Sequence, residues 1–323
     1  MALAASRSPR ILVVRRDNIG DLVCTTPLFD GMRRAQPSAW IGALVNTYNA
    51  EVLARNPALD AVYVYEKLKH RKGSLFSNLL ARARISSELR RLKFDYVLVP
   101  APTARTLRLA ASISPREIIA SPPLPNDKRH EVERCYALGE GLGVTGTPGP
   151  MRVFPEPKIQ EEIGRRAGPG PFVALHISAR RPAQRWPVER YAELLHELKK
   201  QSRILLLWAP GAKDDPRHPG DDEMARGLDG EGIVPLPTPD LATLTAALSL
   251  ADRVICPDGG AMHIAAALGK PIVALFGDSP VERWRPWRVP CRIASPPSGN
   301  LRDLAIEEVL LAARAPLSQG LMR

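Results

Sequence analysis

Two successive alternations of short apolar strands and helical segments constrain this 323-residue chain more than any other feature of its sequence. The first alternation begins with the β-rich run Arg10–Arg15. The second begins at Phe172–Ile177 and continues to a last helix predicted near 303–315. Alternating strands and helices predict parallel sheets, because parallel strands need crossover connections that are usually helices. The sequence therefore predicts an α/β protein built from two doubly wound parallel sheets.

A segment rich in proline and glycine separates the two alternations. Residues 144–171 contain six prolines and five glycines in 28 positions. This composition predicts a domain boundary without a continuous helix. We place an N-terminal domain at residues 1–150 and a C-terminal domain at 151–323, with a last helix that can pack back on the N-terminal domain. Two such domains are expected to face a cleft, and ligands of open α/β sheets bind at the carboxyl ends of the strands.

Charge is distributed unevenly between these domains. Residues 1–150 hold 22 basic and 13 acidic residues, whereas residues 151–323 hold 23 and 21. The apolar runs are far shorter than the ~18–20 residues that span a bilayer, and the first ten residues lack the apolar core of a secretory signal. The four cysteines show no metal-ligand spacing. These features predict a cytoplasmic chain with free thiols and no metal site, whose N-terminal half meets an anionic partner.

The segment Lys67–Lys93 carries the densest basic charge, with nine basic residues against one acid, beside an apolar stripe at helical spacing. An anionic membrane surface attracts such a face by ~1 kcal/mol per nearby Lys or Arg. An ordinary surface helix that packs its leucines on the sheet explains the same pattern. The candidate residues facing an acceptor or a membrane are Lys67, Lys69, Arg71, Lys72, Arg82 and Arg90.

The loop after the first strand, RRDNIGD at 15–21, offers one candidate catalytic group. Gly20 permits a sharp turn, so that Asp21 falls at or near the start of the following helix. A carboxylate there is typical of an N-cap, which is worth ~0.5–2 kcal/mol. Alternatively, Asp21 is a general base that takes a proton from an attacking hydroxyl and contributes roughly 10²–10⁴ in rate. The residues alone leave both interpretations open.

Two strand ends of the C-terminal domain carry residues suited to a diphosphate. The sequence CPDGGAMH at 256–263 leaves backbone N–H groups at a helix start, where phosphate binds. Asp258 either accepts from a sugar hydroxyl or caps the helix, and His263 either donates to phosphate or is structural. HISARR at 176–181 and the following Arg185 supply basic groups, which either neutralise a pyrophosphate leaving group in place of a cation or are solvated loop residues.

Three blocks of sequence resemble the heptosyltransferases of glycosyltransferase family 9. They are RRDNIGDLVCTTPL at 15–28, ALHISARRPAQRWPVERYAEL at 174–194 and PDGGAMHIAAALGKPIVALFGDSPVERWRPW at 257–287. The resemblance implies a GT-B fold of two Rossmann-like domains, with the acceptor on the first and the nucleotide sugar mainly on the second. It also implies inverting, metal-independent and cofactor-free transfer from ADP-heptose to lipopolysaccharide core or a related glycan. The basic charge of the N-terminal half separately favours peripheral contact with the cytoplasmic face of the inner membrane.

Carried over residue by residue, the resemblance assigns roles at the site. It implies that Asp21 is the catalytic base and that Arg185 replaces a lysine that binds the diphosphate. Gly259 stands where relatives often have Thr or Ser, which removes a hydroxyl. Glu223 is the candidate acidic ligand of the donor sugar, with Asp222 as its rival. The implied donor-binding set is Ser178, Arg180, Arg185, Glu223, Asp258, Gly259, Gly260, Met262 and His263.

Three other functions are weighed against heptosyl transfer. A nucleotide-sugar epimerase of similar two-domain build would use the same donor loops, and so would a glycosyltransferase with a non-heptose donor. A nucleic-acid binder would use the basic N-terminal half. Lys67–Lys93 contains one aromatic residue, Phe76, whereas single-strand binding uses several stacking platforms, so no nucleic-acid partner is expected.

Overall fold

The computed structural model describes residues 8–65, 84–123, 127–212 and 220–314. The chain divides into two compact units, Met1–Gly149 (unit 1) and Pro150–Arg323 (unit 2), one residue from the boundary placed on the sequence. Each unit contains its own parallel sheet, with helices in the connections between strands. The α/β class with two parallel sheets is therefore confirmed.

Unit 1 is built on a five-stranded parallel sheet. Its strands are β1 (Arg10–Val14), β2 (Trp40–Asn46), β3 (Ala61–Tyr65), β4 (Tyr96–Val99) and β5 (Glu117–Ala120). Its described helices are α1 (Ile19–Ala35), α2 (84–91), α3 (Ala104–Ser112) and α4 (Glu131–Ala137), with 3-10 turns at Ala50–Leu53 and Glu140–Leu142. The strand order β3-β2-β1-β4-β5 reverses between β1 and β4, which defines the switch point of this sheet.

Helix α1 runs from Ile19 to Ala35 with a proline in its interior. Pro27 has no N–H to donate to the carbonyl of Val23 four residues earlier. The hydroxyl of Thr26 donates to that carbonyl at 2.7 Å, so the acceptor is satisfied. The helix therefore continues past the proline.

Unit 2 is built on a six-stranded parallel sheet. Its strands are β6 (Phe172–His176), β7 (Arg203–Trp208), β8 (Ile233–Pro237), β9 (Arg253–Pro257), β10 (Ile272–Leu275) and β11 (Cys291–Ala294). Its described helices are α5 (Pro157–Ala167), α6 (Val188–Leu198), α7 (Asp222–Arg226), α8 (Leu241–Ser249), α9 (Gly260–Ala267), α10 (Val281–Trp284) and α11 (Ile306–Arg314), with 3-10 turns at Pro182–Gln184 and Leu301–Asp303. The order β11-β10-β9-β6-β7-β8 reverses between β6 and β9.

Helix α5 lies inside the proline- and glycine-rich segment for which the sequence predicts no continuous helix, so that prediction is wrong. Pro157 opens the helix, where its missing N–H is one of the groups that lack an intrahelical partner anyway. Gly168 follows the last helical residue with a φ of +75°, a conformation that favours glycine. The helix packs on α8, and Gln160 donates to the Ser249 hydroxyl at 2.9 Å. Pro157 and Gly168 thus bound this helix, and Gly164 is accommodated within it.

Helix α11 places its apolar stripe in the core of unit 2. Ile306, Val309 and Ala313 are buried there with residues of β6, β7 and β10. Their spacing of three and four residues turns them toward one face of the helix. The sequence allowed this helix to pack back on the N-terminal domain, but its apolar stripe is used within unit 2.

Within the described ranges, no helix has the length and apolar character needed to cross a bilayer. The same residues contain no group of three or more His, Cys, Asp or Glu side chains arranged to hold a metal ion.

Candidate functional site

The loop between β1 and α1 places Asp21 at the switch point of unit 1, where ligands of open α/β sheets bind. Asn46, at the end of the adjacent strand β2, braces this loop. Its side-chain amide donates to the carbonyl of Arg16 at 2.9 Å and to that of Asp17 at 3.2 Å. The position of the loop is therefore fixed from the neighbouring strand.

Asp21 is the third residue of α1, and the N-cap is Asn18, so the prediction of Asp21 as the N-cap itself is wrong by three residues. Asp21 stabilises the helix start instead from within the first turn, as part of a capping box with Asn18. Its Oδ2 accepts from the backbone N–H of Asn18 at 3.2 Å and from the Asn18 amide at 2.9 Å. Its Oδ1 accepts from Nη2 of Arg15 at 2.8 Å. The side chain is 13% exposed, and an ionised carboxylate has about four acceptor positions, so it retains capacity for one more donor. Capping and proton transfer are thus compatible in geometry.

A buried guanidinium meets three carboxylates in this loop. Arg15 is 1% exposed and lies 3.0 Å from Asp17, 2.8 Å from Asp21 and 2.7 Å from Glu131 of α4. Burial lowers the pKa of Arg15, but the surrounding acidic groups, Cys135 and Asp17 foremost, more than offset it and raise the pKa overall. Burial also raises the pKa of Asp17 to about 6, which the Arg15 charge opposes. One carboxyl of the cluster is therefore easily protonated.

In unit 2, Arg185 is fixed by a buried acid. Its Nη1 and Nη2 donate to the two oxygens of Asp221 at 2.7 and 3.4 Å, and its Nε donates to the Ala179 carbonyl at 2.8 Å. The Arg185 side chain is 18% exposed and that of Asp221 is 2% exposed. A guanidinium has five N–H groups, so the bonds within the described residues leave two for a ligand.

Gln184 joins the loop after β6 to the loop after β9. Its amide donates to Oδ2 of Asp258 at 2.8 Å and to the Ser279 hydroxyl at 3.0 Å. Strands β6 and β9 are neighbours at the switch point of this sheet. The bond therefore brings Arg185, the next residue after Gln184, close to the start of α9.

The start of α9 offers main-chain donors, and its side chains support the loop from beneath. Gly259 precedes the helix, and the first N–H groups of a helix have no intrahelical partner. Met262 is fully buried, and His263 is 2% exposed with its ring edge to face against Trp284 at 6.0 Å. Neither side chain offers much surface to a ligand, which favours the structural alternative for His263. Gly260 supplies backbone only.

The remaining predicted donor-binding residues divide by their contacts. The Ser178 hydroxyl accepts from the backbone N–H of Ala209 at 2.8 Å and thereby links the ends of β6 and β7. Arg180 and Glu223 are exposed. Asp222 accepts from the Trp208 indole at 2.7 Å and from the Gly211 N–H at 3.0 Å. These bonds lower the pKa of Asp222 and commit it to the fold, which leaves Glu223 as the freer acid of the two.

The basic candidates of unit 1 are placed only in part. Lys67, Lys69, Arg71, Lys72 and Arg82 lie outside the described residues. Arg90 is exposed, and its Nε and Nη2 donate to the carbonyl of Ser112 at 3.1 and 2.7 Å. Arg90 therefore helps to satisfy the carboxyl end of α3, which is a structural contact.

Several residues of these networks are absent from the set that the sequence predicts, among them Glu131, Asp221 and Gln184. Glu131 reaches Arg15 from 116 residues away, and Asp221 reaches Arg185 from 36 residues away. Pairings at such distances leave no periodic signal in one sequence. Gln184 is absent from the predicted set because a neutral amide next to an arginine carries no charge or motif that would mark it as functional. Its position beside Arg185, in the central block of the resemblance, is the one available hint.

Known proteins are similar to this chain over most of its length. "Lipopolysaccharide heptosyltransferase 3" of Escherichia coli (strain K12) is 24% identical over 292 residues, covering 83% of this chain and 82% of that protein. The structure of a family 9 glycosyl transferase from Veillonella parvula DSM 2008 matches with a TM-score of 0.82 at 21% identity, covering 94% and 96% of the two chains. E. coli heptosyltransferase WaaC with ADP-2-deoxy-2-fluoro heptose matches with a TM-score of 0.75 at 20% identity, covering 94% and 98%.

A family profile extends this similarity to a classification. The profile of glycosyltransferase family 9 (heptosyltransferase) matches residues 122–311, which is more than half of the chain. The matched range contains the Gln184 bridge, the Arg185–Asp221 pair and the start of α9. The fold is that of GT-B heptosyltransferase structures. The chain therefore belongs to glycosyltransferase family 9, and it is a glycosyltransferase.

Proposed function

We propose that this glycosyltransferase moves a heptose from ADP-heptose to a hydroxyl of lipopolysaccharide core or a related glycan. The single observation that carries the proposal is the Gln184–Asp258 bond at 2.8 Å, because it gathers two phosphate-binding elements at one switch point. These are the Arg185 guanidinium and the start of α9. The relatives named above, one of them in a structure with an ADP-heptose analogue, make ADP-heptose the donor to test first.

Unit 2 binds the nucleotide sugar in this proposal. The main-chain N–H groups after Gly259 and the two remaining donors of Arg185 hold the diphosphate, since helix starts and guanidinium groups both favour phosphate. Asp258, oriented by Gln184, accepts from a sugar hydroxyl. Glu223, exposed at the start of α7, is the second acidic ligand of the sugar. Ser178, Met262 and His263 hold the loops in place.

Unit 1 binds the acceptor and supplies the base. Asp21 takes a proton from the attacking hydroxyl of the acceptor sugar. The hydroxyl oxygen then forms a bond to the anomeric carbon from the face opposite the nucleotide, and the bond from that carbon to the diphosphate oxygen breaks. Arg185 and the start of α9 stabilise the departing diphosphate, so the charge that a metal ion would neutralise is met by the protein. A single displacement of this kind inverts the anomeric configuration.

The basic charge of unit 1 fits an anionic glycolipid acceptor. Arg84 and Arg91 are exposed on α2, in the described part of the basic segment Lys67–Lys93, and Arg105 is exposed on α3. An acceptor with phosphate or carboxylate groups on the cytoplasmic face of an inner membrane would meet this charge. Vesicle flotation tests the membrane part. We expect binding to vesicles with anionic lipid, weakening as salt rises, and no binding to neutral vesicles.

A nucleotide-sugar panel tests the donor assignment. The protein is heated with ADP-heptose, ADP-glucose, UDP-glucose, GDP-mannose or no ligand. A ligand at 100 times its Kd stabilises by about 2.7 kcal/mol, so ADP-heptose is expected to give a clear rise in Tm. Incubation with ADP-heptose and lipopolysaccharide core lacking heptose is then expected to yield the extended core. A larger rise with a UDP- or GDP-sugar, and no transfer from ADP-heptose, would contradict the proposal; epimerised donor without acceptor would identify an epimerase.

A further inference from the structure

Asp21 shares its arginine with an acid from a distant helix. Nη2 of Arg15 donates to Oδ1 of Asp21 at 2.8 Å and to Oε1 of Glu131 at 2.7 Å. One guanidinium nitrogen carries two N–H groups, so each carboxylate accepts one of them. Glu131 is buried in the first turn of α4 and has no surface from which to meet a ligand. Its contact with Asp21 is therefore made through Arg15.

Packing of α4 on α1 holds this arrangement rigid. Cys135, one turn after Glu131, lies 3.7 Å from Nη1 of Arg15 and 3.6 Å from the hydroxyl of Thr25 in α1. Burial raises the pKa of Cys135 to about 12, so the thiol is neutral and fills space between the helices. The geometry of the pair Arg15–Glu131 is thus fixed by two packed helices, while its charge comes from the two side chains themselves.

Charged groups of both signs surround Asp21. The titratable or charged groups facing this cluster from the loop, α1 and α4 are Arg15, Asp17, Cys24, Glu131, Arg134 and Cys135. Arg134 lies 3.7 Å from Glu131 on the side away from the shared bond, where it contacts the other oxygen of that carboxylate. The guanidinium of Arg15 therefore links the carboxylates of Asp21 and Glu131.

We propose that Arg15 and Glu131 are positioning residues, which together orient Asp21 and link its charge to that of Glu131 through one guanidinium nitrogen. This role rests on the proposed function of Asp21 as the base. Arg15 keeps the carboxylate of Asp21 aimed. Glu131 accepts from the same guanidinium nitrogen and holds Arg15 in place, so that a change at Glu131 is transmitted to Asp21.

The pH dependence of turnover separates this role from a merely structural one. Glu131→Gln is expected to move the acid limb of the kcat profile about one unit to lower pH and to lower the plateau several-fold, with the donor KM unchanged. Arg15→Gln is expected to move the limb about 1–3 units to higher pH, and Arg15→Lys to return it most of the way. Glu133→Gln is the matched control, because Glu133 lies in the same turn of α4 and accepts from the His130 N–H at 2.8 Å instead. Glu133→Gln is expected to leave the acid limb of the kcat profile at the pH of the wild type.

A measurement without substrate keeps this inference separate from the proposed function. The side-chain carboxyl ¹³C resonance of Asp21, assigned with Asp21→Asn, is followed against pH in each variant. Midpoints that move in opposite directions in Glu131→Gln and Arg15→Gln support the coupling even if no heptose is transferred, in which case only the function fails. If Arg15→Gln does not fold, Glu131→Gln and its control Glu133→Gln decide. Active, folded Glu131→Gln with both the limb and the midpoint unmoved would overturn the inference.

Discussion

Unit 1 and unit 2 each place an arginine after the first strand of a parallel sheet, and the two arginines differ in what surrounds them. Arg15 is enclosed and meets three carboxylates, whereas Arg185 is partly exposed and meets one carboxylate, that of Asp221. An arginine enclosed by acids directs its N–H groups to those acids, so it can affect function only through the side chains that it positions. An arginine held from one side by one acid keeps donors for an anionic ligand.

The contrast extends to the charge that each network leaves at its loop. Around Arg15, three carboxylates face two arginines, since Arg134 lies 3.7 Å from the far oxygen of Glu131, and the network keeps excess negative charge. Around Arg185, one positive charge is balanced by Asp221, and the main-chain donors of α9 add partial positive charge. Under the proposed function, the first loop takes up a proton and the second binds a diphosphate.

Among the variants that test the contrast between Arg15 and Arg185, substitution of Arg185 is expected to have the largest effect. Arg185→Ala leaves the buried Asp221 without its partner, which is expected to destabilise unit 2 by about 3–5 kcal/mol in urea unfolding. The double variant Arg185→Ala/Asp221→Ala is expected to recover most of this stability. ADP binding, measured by calorimetry, is expected to fall at least tenfold in both variants, because both lack the diphosphate donor. Wild-type ADP affinity in the double variant would show that Arg185 is not a ligand.

The pH dependence of folding stability in Asp17→Asn tests the excess negative charge around Arg15 in unit 1. Folding raises the pKa of Asp17 to about 6, chiefly by burial, above the ordinary value of ~3.9. Between these values the folded chain binds more protons than the unfolded chain, so stability falls as pH rises through the window. Asp17→Asn is expected to remove this loss, which is about 1–3 kcal/mol by pH 7.

Urea unfolding at pH 4, 5, 6 and 7 measures the Asp17 effect as a difference between variant and wild type. Glu117→Gln is the control, because Glu117 is an exposed acid of the same unit. Its difference from wild type is expected to stay flat across the range. The same pH dependence in wild type and Asp17→Asn would mean that the cluster does not hold a proton.

Substitution of Gly259 is expected to have the smallest effect, and it tests how the start of α9 in unit 2 binds the diphosphate. A Cβ added at Gly259 would meet no atom within 4 Å, so a larger side chain fits. Gly259→Ser restores a hydroxyl at the start of α9 and is expected to tighten ADP binding by up to about tenfold, with stability changed by less than about 0.5 kcal/mol. Gly259→Ala controls for the lost glycine. Equal affinities in the two variants would exclude a phosphate contact for the hydroxyl.

The sequence predicts the buried central strands and misses the edge strand β11. β1, β6 and β7 are buried on both faces and read as unbroken apolar runs. β11 spans four residues, one of them the exposed Arg292. Helix α5 is missed because Pro157 and Gly168 lie at its ends, and because its one interior glycine, Gly164, does not interrupt it.

The sequence also predicts which loops carry the site, but not how their side chains pair. Asp21, Arg185 and Asp258 follow strands whose carboxyl ends meet at the switch points, and strand order makes that predictable once the alternation is recognised. Glu131 and Asp221 approach from other helices, so three-dimensional packing alone identifies them. Burial also separates ligand-facing residues from structural ones. His263 and Met262 occupy positions of the sequence motif, but both side chains are buried.

The central claim is that Asp21 acts as a base in addition to capping α1, and one pair of variants tests it. Asp21→Asn keeps an oxygen that can cap and removes the charge, whereas Asn18→Ala weakens the cap and keeps the acid. Single-turnover heptose transfer with saturating donor is expected to slow at least about a hundredfold in Asp21→Asn, with ADP-heptose affinity unchanged, and to stay within about threefold of wild type in Asn18→Ala. Near-normal transfer in folded Asp21→Asn, or an equal loss in both variants, would contradict the account.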